Sequence, residues 1–136
     1  MERQARQKFS NRSLNGCYGF VFHGTLLEKG KGVPAVAEGL VCGDGKGNVT
    51  KLTRVLNIGG VIQNQTATGG YSVNSKGNGV AVFDVKTGGV PSSKEEFDFT
   101  LADKAKLIQF IMTDFKGPDG KDLGILVVVS GNAIKQ

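Results

Sequence analysis

From Leu14 onward the chain alternates with a period of two. Leu14, Gly16, Tyr18, Phe20, Phe22, Gly24 and Leu26 share one face of an extended run, and Asn15, Cys17, Gly19, Val21, His23 and Thr25 share the other. Its aromatic and β-branched residues suit a pleated, half-buried surface better than a helix. Similar runs follow at Pro34–Gly43, Val49–Ile58, Val61–Asn74, Gly79–Thr87, Glu95–Leu101, Leu107–Phe115 and Leu123–Ser130, which predicts eight strands.

The segments between these runs carry hairpin chemistry. Asp44-Gly45-Lys46-Gly47-Asn48, Asn74-Ser75-Lys76-Gly77-Asn78 and Lys116-Gly117-Pro118-Asp119-Gly120 supply the positive φ angles and fixed kinks of tight turns. The first two share a Lys-Gly-Asn turn between strands, which a recurring hairpin solution explains more simply than a duplication. Gly59-Gly60 and Ala102-Asp103-Lys104-Ala105 read as short links, and Glu28–Val33 and Gly88–Lys94 as longer loops at open rims.

Eight consecutive strands joined by short turns form an antiparallel meander. Left flat, it exposes two unpaired edges; closed, it has none. A two-sheet sandwich needs longer crossovers than this chain offers. Gly16, Gly19, Gly24, Gly39, Gly69 and Gly70 fall inside the runs, where close strand approach excludes a side chain. The expected fold is therefore all-β, an eight-stranded antiparallel up-and-down β-barrel over residues 14–136. Residues 1–13 form a short polar N-terminal segment, flexible or weakly helical, with Phe9 its one aromatic anchor.

Composition sharpens this reading mainly by exclusion. The 136 residues are 39 % hydrophobic and 21 % charged, a globular balance, and the 21 glycines show no collagen period. The net charge of +5 is concentrated at the N-terminus, where Arg3, Arg6, Lys8 and Arg12 oppose only Glu2. The remaining surplus is dispersed and lacks interleaved stacking aromatics, so nucleic acid is not an expected partner. The longest apolar run, Ile125–Val129, is far short of the roughly 20 residues of a membrane-spanning helix. A secreted or periplasmic location is expected if a signal peptide precedes the natural chain, and a cytoplasmic one otherwise.

The segment Leu14-Asn15-Gly16-Cys17-Tyr18-Gly19-Phe20, the strand–Asp-Gly-x-Gly-Asn–strand hairpin and Gly69-Gly70-Tyr71-Ser72-Val73-Asn74 resemble a family of small bacterial proteins of unassigned activity. These are similar to the allene oxide cyclase and calycin-like barrels. The resemblance spans roughly residues 14–130 and rests on turn and glycine patterns, so it implies architecture and transfers no catalytic residue. It implies a barrel that binds a lipophilic molecule or, alternatively, a cyclase or isomerase that folds a flexible substrate inside the lumen.

The candidate ligand-lining set is Tyr18, Phe20, Phe22, Gln63, Gln65, Tyr71, Phe97 and Phe99, a largely aromatic group with a few hydrogen-bonding members. The face shared by Gln63, Gln65 and Tyr71 reads equally as a ligand surface or an ordinary exterior. His23, the single histidine, lies on the parity opposite Phe20 and Phe22 and points outward if those line the lumen. Glu96 and Asp98 read either as paired acids or as solvated residues flanking buried Phe97 and Phe99. Cys17 and Cys42 read as buried structural residues, bridged or free. No metal ligand set, cofactor motif or phosphate loop is matched.

The expected function is a small-molecule-binding barrel with a lumen or mouth for a hydrophobic ligand. The alternatives are the cyclase or isomerase and a self-associating module. Leu123–Ser130 is apolar on both faces, with Leu126 and Val128 opposing Ile125, Val127 and Val129. That pattern predicts a homo-oligomer built on this strand, extended by Ile108, Phe110 and Met112.

Overall fold

The computed structural model describes residues 8–136, so most of the polar leader, Met1–Gln7, lies outside the described residues. Strands β1 (Asn15–Glu28), β2 (Lys31–Asp44), β3 (Asn48–Ile58), β4 (Val61–Val73), β5 (Asn78–Thr87), β6 (Val90–Ala102), β7 (Leu107–Lys116) and β8 (Ile125–Lys135) follow in that order. Each pairs antiparallel with its sequence neighbour, and β1 also pairs with β8 to close the barrel. The predicted all-β up-and-down barrel is the observed one. Among the described residues no helix is long and apolar enough to cross a membrane.

Alternation sorts the side chains. Tyr18, Phe20 and Phe22 from β1, Leu52 and Leu56 from β3, and Phe97 and Phe99 from β6 are all buried in the interior. Phe22 and Phe97 both pack edge-on against Phe110, and Phe83 packs edge-on against Phe97. Small residues elsewhere on the inner face, such as Ala37, Ala67, Ala81 and Ala133, make room for these rings. Glycines permit close strand crossings: a Cβ at Gly24, Gly39 or Gly69 would lie about 2 Å from a backbone oxygen of the adjacent strand.

The two ends differ. At one end β1–β2, β3–β4 and β5–β6 are joined by Lys29-Gly30, Gly59-Gly60 and Gly88-Gly89, two-residue turns with positive φ at both positions. This corrects the expectation of long loops at Glu28–Val33 and Gly88–Lys94. The left-handed pairs reverse the chain within two residues, so the strands run on to the rim. Asp44 and Asn74 organise the hairpins at the opposite end. In each case a side-chain oxygen accepts the N–H groups two and four residues on, from Lys46 and Asn48 or Lys76 and Asn78. Those bonds, led by the Asn48 side chain, hold the exposed Asp44 carboxyl below its usual range.

That end is also plugged. Asn11–Ser13 forms a single 3₁₀ turn capped by Ser10, and Phe9 packs against the core beside Gly77. Asn11 accepts the Val73 N–H at 2.8 Å. Cys17 and Cys42, opposite each other on β1 and β2, form a disulfide that clips these strands beside the plug.

On β8, Val129 faces inward while Leu126 and Val128 face outward and are 69 % and 65 % exposed. The expected extension of this stripe is corrected. Ile108, Phe110 and Met112 are inner-face residues that line the lumen, because β7 places Gln109, Ile111 and Thr113 outward.

Candidate functional site

The lumen is divided by a charged layer. Arg54 on β3 reaches across the barrel to Glu95 on β6, donating from both terminal nitrogens to both carboxylate oxygens at 2.8 and 2.6 Å. Its Nε–H donates to Gln65 Oε1 at 2.6 Å, and its guanidinium centre sits 5.5 Å from the Phe22 ring centroid. Ser93 donates to Glu95 Oε2. Arg54 and Glu95 are only 5 % and 4 % exposed, so their charges are satisfied by each other and by neutral partners rather than by water.

Toward the plug lies a cavity of about 100 Å³ with an almost wholly apolar wall. Tyr18, Phe20, Phe22, Tyr71, Phe97 and Phe99, six of the eight expected ligand residues, line it. The two tyrosines tie this chamber to the closed end. The Tyr18 hydroxyl donates to the Ala105 carbonyl, and that of Tyr71 lies between the Asn11 and Leu14 carbonyls at 2.9 and 3.0 Å. Burial pushes both phenol pKa values above their usual range, with the Tyr71 charge adding to the effect at Tyr18 and the Asp44 charge at Tyr71.

Toward the open end lies a larger mouth of about 390 Å³. Its walls are chemically lopsided. Leu26, Ala35, Leu56 and Ile58 from β1–β3, with Met112, Phe115, Ile125 and Val127 from β7 and β8, give an apolar arc. Gln63 and Gln65 from β4, Thr87 from β5, and Ser92 and Ser93 from β6 give a polar arc. Gln65 Nε2 donates to Thr87 Oγ1 at 2.9 Å, Thr87 to Ser92 Oγ at 2.9 Å, and Ser92 to the Val85 carbonyl. The Arg54–Glu95 pair is the floor. A mouth of this size, mostly apolar with a few convergent polar groups, has the physical character of a small-molecule site.

The sequence-derived set is thus split. Gln63 and Gln65 line the mouth, Phe22 borders both chambers, and the other five line the smaller cavity and not the mouth. The face carrying Gln63, Gln65 and Tyr71, left open between ligand surface and exterior, is internal. His23 is exposed on the outer wall. Glu96 and Asp98 also point out of the lumen, and the acid inside is their neighbour Glu95. The alternation Glu95-x-Phe97-x-Phe99 and Leu52-x-Arg54-x-Leu56 held the signal for both missed charges: one acid and one base, each on an otherwise apolar face.

Breaking the pair and replacing it have different costs. Glu95→Gln leaves a buried guanidinium uncompensated and is expected to cost about 3–5 kcal/mol, whereas Arg54→Met/Glu95→Leu together should cost less than either single change. Urea unfolding followed by circular dichroism measures both. A double variant as unstable as Glu95→Gln contradicts this account.

No protein-family model matches the chain, and no curated protein matches it. Among solved structures, the chain is similar to EF1p2_mFAP2b, solved bound to DFHBI, with a TM-score of 0.54 and 10 % identity over 92 % of this chain and 95 % of that one. A likeness at this identity shows the fold: this chain is built on the same kind of closed β-barrel as that one.

Proposed function

We propose that this protein binds a hydrophobic small molecule in its open mouth. The observation that carries the reading is the mouth of about 390 Å³, apolar over most of its wall and floored by satisfied polar groups. That EF1p2_mFAP2b was solved with the small molecule DFHBI bound adds support from a similar barrel. The plugged half, with its cavity of about 100 Å³, is too small for such a ligand and serves as packed support. The Cys17–Cys42 bridge fits a protein that works in an oxidising compartment.

The sequence resemblance to allene oxide cyclase-like barrels supports a second reading, a cyclase or isomerase. What favours it is Glu95, among the described residues the one carboxylate lining the mouth, although Arg54 and Ser93 engage both its oxygens. Ring closure of a flexible epoxide by the wild type, lost in Glu95→Gln, is its signature. Without any turnover by the wild type, the binding reading stands alone.

Self-association is part of the proposal. Leu126 and Val128 form an uncharged outward pair on β8, and a second copy of the chain is the occupant proposed for them. Light scattering at high micromolar concentration should report more than one 14.3 kDa chain per particle, and Leu126→Lys should return it to one.

Nile red, a neutral apolar dye, tests the binding itself. Its emission should rise and shift to the blue on titration with the protein. Ile58→Trp, which fills the mouth from the β3 rim, should weaken binding at least tenfold while the melting temperature stays within a few degrees. Unchanged affinity in that variant places the dye elsewhere and overturns the reading.

A further inference from the structure

The chemistry of the floor narrows the class of ligand. A buried arginine at the base of an apolar pocket ordinarily suggests a carboxylate or phosphate partner. Here that role is already taken. Glu95 pairs with both terminal nitrogens of Arg54, and among the described residues these two are the only charged side chains lining the mouth, so their formal charges cancel. An incoming carboxylate gains no free cation. Even at an N–H of Arg54 that Glu95 leaves open, it would set a second, uncompensated carboxylate beside one that is 4 % exposed. An incoming ammonium fares no better, since Glu95 Oε1 accepts from Arg54 and Oε2 from Arg54 and Ser93.

The polar arc offers a different partner. Gln65, Thr87 and Ser92 donate hydrogen bonds in one chain that ends on the Val85 carbonyl. Gln63, nearer the rim and half-buried, accepts from Gln65, and its own amide N–H groups donate to nothing among the described residues. These donors belong to a neutral carboxamide, opposite a wall of Leu26, Ile58, Met112 and Val127. We infer that the mouth selects an uncharged amphiphile, with a long apolar body and a single neutral oxygen acceptor such as an alcohol or ketone, over the carboxylate or ammonium of the same chain length. This rests on the binding reading above and adds its selectivity.

Competition against bound Nile red at pH 8 tests it with decan-1-ol, sodium decanoate and decylammonium chloride. Decanol should displace the dye at a concentration at least tenfold lower than either ion. Glu95→Gln leaves Arg54 with a net positive charge and should move the preference toward decanoate by tenfold or more. Because that variant removes one partner of a buried pair, Gln63→Lys serves beside it: it adds a cation at the half-buried rim and should shift the order in the same direction. If the wild type binds Nile red but takes decanoate as readily as decanol, the selectivity is wrong and the binding reading survives. If Gln63→Lys leaves the order unchanged, charge is not what the mouth reads and the inference fails. If the wild type does not bind Nile red, the binding reading fails and this inference with it.

Discussion

Pairing of β1 with β8 is the constraint from which the rest follows. Tyr18↔Lys135 through Glu28↔Ile125 join the first strand to the last over most of its length. Once that ladder forms, every strand has two neighbours and no edge is left to template other chains. Closure also gives period-two alternation a fixed meaning, because each strand then has one face toward the lumen and one toward solvent. A one-residue slip at the seam would turn Phe20 and Phe22 outward and bring Val21 and His23 in. The glycines at 24, 39 and 69 belong to the same constraint, since they stand where neighbouring backbones come too close for a Cβ.

Within that frame the Arg54–Glu95 pair costs more than an apolar filling would, and its geometry explains how it persists. Two ions taken out of water are offset only when nearly every polar atom finds a partner. Here the carboxylate receives three hydrogen bonds, and three guanidinium nitrogens donate. The pair ties β3 to β6 across the lumen, although β4 and β5 lie between them in the sheet. It therefore acts as a strut as well as a floor, dividing an interior that apolar residues alone would have filled as one core. The mouth inherits its character from this layer: neutral in sum, and polar on one arc only.

The unlike ends have an equally local origin. Three two-residue turns carry strands to the open rim, where the longer β7–β8 connection adds Leu123 to the wall of the mouth. At the other end, Phe9, the 3₁₀ turn, the tyrosine hydroxyls and the disulfide converge on one closure. The larger space of the lumen therefore lies at the rim, and the smaller cavity lies beside the plug.

The sequence by itself determined the strand count, their order and the inward aromatic face, because side-chain alternation and turn chemistry are local. Leu14 to Leu26 shows its parity without reference to any other strand, and Lys-Gly-Asn marks a reversal wherever it stands. The same locality explains what stayed hidden. Two-residue Lys29-Gly30 and Gly88-Gly89 turns looked like long loops because polar rim residues flank them. Gln63 and Gln65 read equally as exterior, since a polar side chain carries no mark of the partner that makes its burial tolerable. Glu95 and Arg54 lie 41 residues apart, and only the closed barrel, by fixing which positions face one another across the lumen, brings them to 2.6 Å. Tertiary structure thus decided where the charges meet, that the two cysteines join, and that the lumen is a mouth above a plugged base, because each of these depends on distances between strands that no local pattern encodes.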